Sequence, residues 1–221
     1  MLETVSAIVP ALNAAETIRH CVEQLEGLGE VIVVDGGSLD QTQEIARQAG
    51  AKVIISDRGR GVQLRAGATA AKGNWLLFLH ADTLLSDGWQ LAVECHIESE
   101  RCQAAYFGLR LQSSDWRARL IERSVRLRCR FFSLPYGDQG LLISRSLYEE
   151  VGGYAAISLM EDVDIVRRIG RDRLVELPVS ALTSALRWKR DGWARRSLRN
   201  LMVQLLYFSG ASPERLARFY R

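Results

Sequence analysis

An α/β fold built on a doubly wound, mainly parallel sheet is the architecture the sequence predicts. Three observations point to it. Apolar runs recur at 5–10 (VSAIVP), 31–35 (VIVVD), 52–56 (KVIIS) and 75–82 (WLLFLHAD), as strands covered on both faces require. Segments of helical period lie between them. Pro10, Asp35, Asp57, His80 and Asp82 fall at or just past the run ends, on the sheet edge where open α/β sheets hold ligands.

Each element follows from its own pattern. Ile18, Cys21, Val22, Leu25 and Leu28 recur at three- and four-residue spacing, which predicts a helix over 14–28. GGSLDQT supplies a turn and a helix start, with Ser38 as the expected N-cap of a helix reaching Ala49 before Gly50. A small-residue helix is expected over 62–72 and WLLFLHAD forms a fourth strand. The later chain is less regular. It predicts helices over 87–99, 115–133, 161–170 and 193–209, a short one ending near Val151, and strands over 104–111, 140–144 and 173–179. Pro213 suits the first position of a last helix over 213–220, with Ser212 as its cap. No repeat or linker interrupts the chain, so one domain over 1–221 is expected. Its ligand-binding half would be 1–100, its catalytic half 101–190, and 191–221 its terminal helices.

Composition narrows the class. The chain has 221 residues, 48% hydrophobic and 25% charged, which is globular rather than disordered or fibrous. The net charge of +3 is too small to ask for a nucleic-acid partner. Cys21, Cys95, Cys102 and Cys129 form no CxxC pair, so free thiols in a reducing, cytoplasmic compartment are expected. The start of the chain lacks a basic, then apolar, leader pattern, and no run is long enough to span a bilayer. Two arginine-rich amphipathic segments, 115–133 and 193–208, leave three roles open: core packing, a homodimer interface, or contact with the inner membrane surface.

Several residue groups could carry chemistry. His80 and Asp82 alternate on a predicted strand, so both could reach one point beyond it and hold a divalent cation beside a diphosphate. A solvated strand end explains them equally well. Asp35 could accept hydrogen bonds from a nucleobase or ribose, with Gly36 and Gly37 allowing close approach; a turn-capping role is the alternative. Arg58, Arg60 and Arg65 flank glycines and could meet phosphate. Asp138 and Gln139 could bind sugar hydroxyls, or simply form a turn. Glu161 and Asp162 diverge by about 100° on a helix, so one could face substrate while the other serves the fold.

Taken in order, VSAIVPALNAAETI, VIVVDGGSLDQT, NWLLFLHADT, YGDQGLLISRSLYEEVGGY and LMEDVDIVRRI resemble the family 2 glycosyltransferases of the GT-A fold, over about residues 4–178. HADT and the tail SPERLARFY are similar to the compact bacterial subgroup labelled radical-SAM/selenodomain-associated transferase 2. The resemblance implies a Rossmann-like mixed, mainly parallel sheet and a nucleotide diphosphate sugar as donor, with uridine the default base. It implies that Pro10, Leu12 and Glu16 line the nucleotide pocket, that Asp35 contacts the base, and that Gly37 and Arg65 lie beside the nucleotide. Asp82 would hold the diphosphate and, with His80, Mn²⁺ or Mg²⁺. Asp162 would be the base of an inverting transfer. Gly137, Asp138 and Gln139 would lie by the acceptor, whose lipid-linked or phosphorylated character stays open. His80 and Gly36 stand where the family usually carries acids. With no histidine after residue 96, Arg187, Trp188 or Arg190 would take over any late contact to the diphosphate. Two other classes compete. A nucleotidyltransferase would want a glycine-rich basic loop after the first strand, which PALNAAE is not. A non-catalytic nucleotide-sugar-binding module would need no base.

Overall fold

The computed structural model describes residues 1–99 and 104–220, apart from the side chains of Arg187 and 218–220; Cys102 lies outside the described residues. Eight strands form one sheet in the order β3-β2-β1-β4-β7-β6-β8-β5. They are β1 (Val5–Ala11), β2 (Glu30–Asp35), β3 (Lys52–Ile55), β4 (Trp75–Phe78), β5 (Thr83–Leu85), β6 (Ala104–Leu111), β7 (Leu141–Ser144) and β8 (Leu174–Thr183). Parallel pairing joins β1 to β2 and β4, β2 to β3, and β6 to β8. Among the described strands, β7 and β5 run against the rest. The sheet is therefore mixed and mainly parallel, as expected.

Both faces of the sheet are covered, which is why its strands read as apolar runs rather than alternating ones. Val5, Ala7, Val9, Val33 and Leu77 face α1 (Ile18–Glu23), α2 (Thr42–Gln48) and α4 (Trp89–Glu98). Ile8, Ile32, Val34, Leu76 and Phe78 face α3 (Arg60–Ala70), α6 (Arg145–Glu150) and α7 (Glu161–Ile169). Each fully buried Val, Ile or Leu contributes about 1.5–3 kcal/mol. α5 (Trp116–Phe132) packs on β6, and α8 (Leu186–Asp191), α9 (Trp193–Phe208) and α10 (Pro213–Tyr220) complete the chain.

Several expectations need correction. The strand over 75–82 stops at Phe78, and the chain then turns: Thr83 N–H donates to the His80 carbonyl at 3.1 Å. His80 and Asp82 are thus neighbours on a turn, not alternate residues of a strand. After the turn, β5 forms an edge strand whose Thr83 pairs with Thr183. Ser38 does not cap α2, which starts at Thr42; its hydroxyl instead donates to Asp35 and accepts from the Asn13 N–H. α1 is shorter than expected and α3 starts two residues earlier, at Arg60. β8 runs on to Thr183, past an irregularity opposite Tyr106 and Gly108. α10 occupies the expected range, and its first turn closes through Leu216 N–H to the Ser212 carbonyl.

Candidate active site

A cleft of about 360 Å³ opens at the C-terminal edge of the sheet. Four segments build it: the His80–Thr83 turn, the loop around Tyr136–Asp138, the first turn of α7, and the inner sides of α8 and α9. Arg60, at the start of α3, closes one end.

The turn is held from behind by α1. The Cys21 thiol donates to the His80 carbonyl at 3.4 Å, and Gln24 bridges the Thr83 carbonyl (2.9 Å) and the Leu85 N–H (2.6 Å). Burial, reinforced by the Asp82 carboxylate, pushes the Cys21 thiol up to about 12, so it stays a neutral donor. His80 and Asp82 then face the cleft.

The 136–140 loop is shaped by Gln139, which is fully buried. Its amide oxygen accepts from Arg128 Nη2 (3.2 Å) and the Tyr136 N–H (3.3 Å), while its nitrogen donates to the Phe107 carbonyl (3.1 Å). Arg128 lies over the Tyr136 ring, 3.6 Å from its centroid. Gly137 is needed here because a Cβ would stand 2.7 Å from His80 Nε2. Its N–H donates to Asp162 Oδ2 at 2.8 Å, tying the loop to α7. Asp138 lines the same cleft, and its Oδ1 is buried without a hydrogen-bond partner. Burial, opposed by Arg128 and reinforced by Asp162, raises its carboxyl above the usual range.

α7 begins at Met160, whose φ of 68° and ψ of 21° are left-handed values that a bulky residue seldom adopts. Its buried side chain packs with Val163, Val203 and Leu216. This entry sets the two acids apart. Glu161 turns inward, 1% exposed, with Arg60 at 3.5 Å. Burial, then the neighbouring Asp162 charge, pushes Glu161 up to about 7 against the pull of Arg60. Asp162 lines the open cleft, and its oxygens accept from the N–H groups of Gly137 and Val163, each at 2.8 Å. Each oxygen keeps a lone pair for a further donor.

The far wall is basic and aromatic. Arg196 is 7% exposed, pairs with Asp191 at 2.7 Å and lies over Trp188. Trp188 stacks on Trp193 with centroids 6.1 Å apart.

The family model described as glycosyl transferase family 2 matches residues 6–159, more than half of the chain. The chain belongs to that family. Among its relatives, a PGL/p-HBAD biosynthesis glycosyltransferase of Mycobacterium bovis (strain BCG / Pasteur 1173P2) is 34% identical over 162 residues, covering 67% of this chain and 62% of the relative. The match thus spans under two thirds of that relative's length. A glucosyl-3-phosphoglycerate synthase of Mycolicibacterium smegmatis is 35% identical over 98 residues, or 38% of this chain and 32% of the relative. A solved glucosyl-3-phosphoglycerate synthase from Mycobacterium tuberculosis, in complex with Mn²⁺, UDP-glucose and phosphoglyceric acid, superposes with a TM-score of 0.54. It is 23% identical and covers 78% of this chain and 68% of that one. The fold is GT-A.

Among the positions expected for a family 2 chain, His80, Asp82, Asp138 and Asp162 meet in the cleft, and the Gly137 N–H reaches Asp162. Pro10, Leu12, Glu16, Asp35 and Gly37 stand beyond its walls, at or after the adjoining ends of β1 and β2. Asp35 is fully buried, and its carboxylate accepts from the N–H groups of Gly37 (3.0 Å) and Ser38 (2.9 Å), the Ser38 hydroxyl and Gln43 Nε2 (2.9 Å). In this structure it caps the turn from inside the fold. Gln139 is likewise engaged inside the fold rather than turned to an acceptor. Arg65 is exposed on α3 and does not line the cleft; Arg60 does. Trp188 lines it too, whereas Arg190 is exposed and paired with Asp191 at 2.9 Å; the Arg187 side chain lies outside the described residues. Gly36, where the family usually has an acid, has a local reason. A Cβ there would come within 3.1 Å of the buried Gln63 amide, which bridges the Ala11 and Val34 carbonyls. Arg196, Asn200 and Thr183 were not legible as site residues, because only the packing of α9 and β8 brings them to the cleft.

Proposed function

We propose that this chain transfers a sugar from a nucleotide diphosphate sugar, with UDP the default nucleotide, to an acceptor hydroxyl with inversion at the anomeric carbon. The observation that carries this reading is the placement of Asp162 in the same cleft as Asp82 and His80, with its carboxylate steadied by Gly137. The UDP-glucose complex of the structural relative supports the donor class.

The acceptor hydroxyl gives its proton to Asp162 as its oxygen attacks the anomeric carbon. The bond from that carbon to the diphosphate oxygen breaks, and the nucleoside diphosphate leaves. Arg60 and Arg196, at opposite sides of the cleft, meet negative charge on the leaving group or on a phosphorylated acceptor. The phosphoglyceric acid bound by the structural relative favours a phosphorylated acceptor.

The donor set fits a divalent cation completed by substrate. Asp82 and His80 line the cleft. Among the described residues no three His, Cys, Asp or Glu side chains form a closed cluster. Such a partial set suits Mn²⁺ or Mg²⁺, which take their remaining ligands from phosphate oxygens and water. Asp82 and His80 would hold the ion, and when bound it neutralises charge on the diphosphate.

The test is product release from a panel of nucleotide sugars and acceptors. Nucleoside diphosphate release supports transfer of the sugar; inorganic diphosphate release would make the chain a nucleotidyltransferase. Asp162→Asn should lower kcat by at least about 10²-fold, the lower range for a general base, while calorimetric donor binding stays unchanged. Near-wild-type turnover in that variant would remove Asp162 from the role of base.

A further inference from the structure

Two long helices, α5 and α9, leave their outer faces exposed. In α5, Ala118, Val125 and Cys129 point into the fold. Trp116, Leu120, Leu127 and Phe131 are 46–65% exposed. At 100° per residue these four lie within about 60° of one another, on the side opposite the buried three. Arg119, Arg123, Arg126 and Arg130 form the adjoining stripe, and all are exposed. α9 likewise exposes Leu198, Leu201, Met202, Leu205 and Phe208, at 42–59%, while Val203 faces inward. The two helices meet at their N-terminal ends. Ala118 and Ile121 of α5 share a cluster with Ala185, Trp188 and Trp193. Beyond the other end of α5, Leu134 and Tyr136 share one with Val203 and Tyr207.

We infer that the outer face of α5 docks the protein on an anionic lipid bilayer. Charge selects this occupant. α5 carries six arginines against one glutamate. Two copies meeting through such faces would repel, whereas anionic headgroups attract them. Aromatic and aliphatic side chains beside an arginine stripe are the pattern of a helix lying in the lipid interface. Among the described residues no helix is long and apolar enough to cross a membrane, so contact would be peripheral. The further step, that the acceptor is drawn from the bilayer, rests on the proposed glycosyl transfer; the docking itself does not.

Flotation with phosphatidylcholine vesicles, with and without 30 mol% phosphatidylglycerol as the charged probe (roughly the anionic content that makes polybasic attraction measurable), tests this without any turnover. The full chain should float with the anionic vesicles only, and salt should release it. Arg123→Glu with Arg130→Glu should weaken partitioning by at least about tenfold, since each basic residue near such a surface is worth a several-fold change. Leu127→Ser with Phe131→Ser should release the protein at lower salt, while circular dichroism stays that of wild type. Failure to float on anionic vesicles at low salt overturns the proposal. If the same pair of substitutions instead splits a dimer seen by light scattering, the face is an interface between copies. Neither result touches the transferase reading, which stands or falls on product release.

Discussion

Adjacent acids with opposite surroundings set the character of this site. Asp162 faces the open cleft, while Glu161 is buried against Arg60. Burial and the Asp162 charge raise Glu161 from an ordinary 4.5 to about 7. A raised folded-state value means the fold holds this proton more tightly than the unfolded chain does. The associated stability is complete below about pH 4.5 and is lost as pH rises toward 7. Glu161→Gln, neutral at every pH, should flatten this part of the profile. Melting measured from pH 5 to pH 8 should fall for wild type by the equivalent of roughly 1–3 kcal/mol and stay level for the variant. A parallel decline in both would show that Glu161 does not hold the proton. Asp191 acts in the opposite sense. Hydrogen bonds from Arg190, Arg196 and Arg199 hold it down to about 2, so its contribution fades only as pH drops below the usual aspartate range, outside that window.

At the scale of elements, Asp191 is the hinge pin between α8 and α9, closing the cleft wall through those three arginines. Asp191→Ala should speed amide exchange across α8 and the first turns of α9 and raise KM more than it lowers kcat. β1 and β4, in the core, should keep their protection; equal loss there would mean the pair supports the whole fold and not the wall. The sheet's first half was legible because β1, β2 and β4 are largely buried apolar runs, β3 is a partly exposed one, and helices lie between them. β5 was not, since a three-residue edge strand exists only through its pairing with β8. The end of β4 was overrun because Leu79, buried like its strand neighbours, continues the apolar run after the chain has left the sheet. Local pattern reports burial, and a turn under a helix is buried too.

Across the whole molecule, the cleft gathers residues from Arg60 to Gln204. Short motifs could mark Asp82 and Asp162 because their chemistry is tied to neighbours in sequence. Arg196 and Asn200 sit in a generic basic helix, and nothing but its packing aims them at the site. A ligand bridging such distant segments must couple to global stability, since it binds the folded chain and not the unfolded one. A nucleotide sugar at 100 times its Kd should therefore add about 2.7 kcal/mol. For a chain of this size that corresponds to a rise in Tm of roughly 5–10 °C. If Asp82 and His80 hold a divalent ion against the diphosphate, most of this shift should need Mn²⁺ or Mg²⁺ and should vanish on chelation. Asp82→Ala should lose the metal-dependent part and keep the response to the free nucleoside. His80→Ala separates the two halves of the pair. A shift reduced but still metal-dependent makes His80 a ligand, whereas an unchanged shift leaves it as the neighbour that packs on Gly137. A full shift in chelator with wild-type protein would show that the arginines alone meet the diphosphate charge.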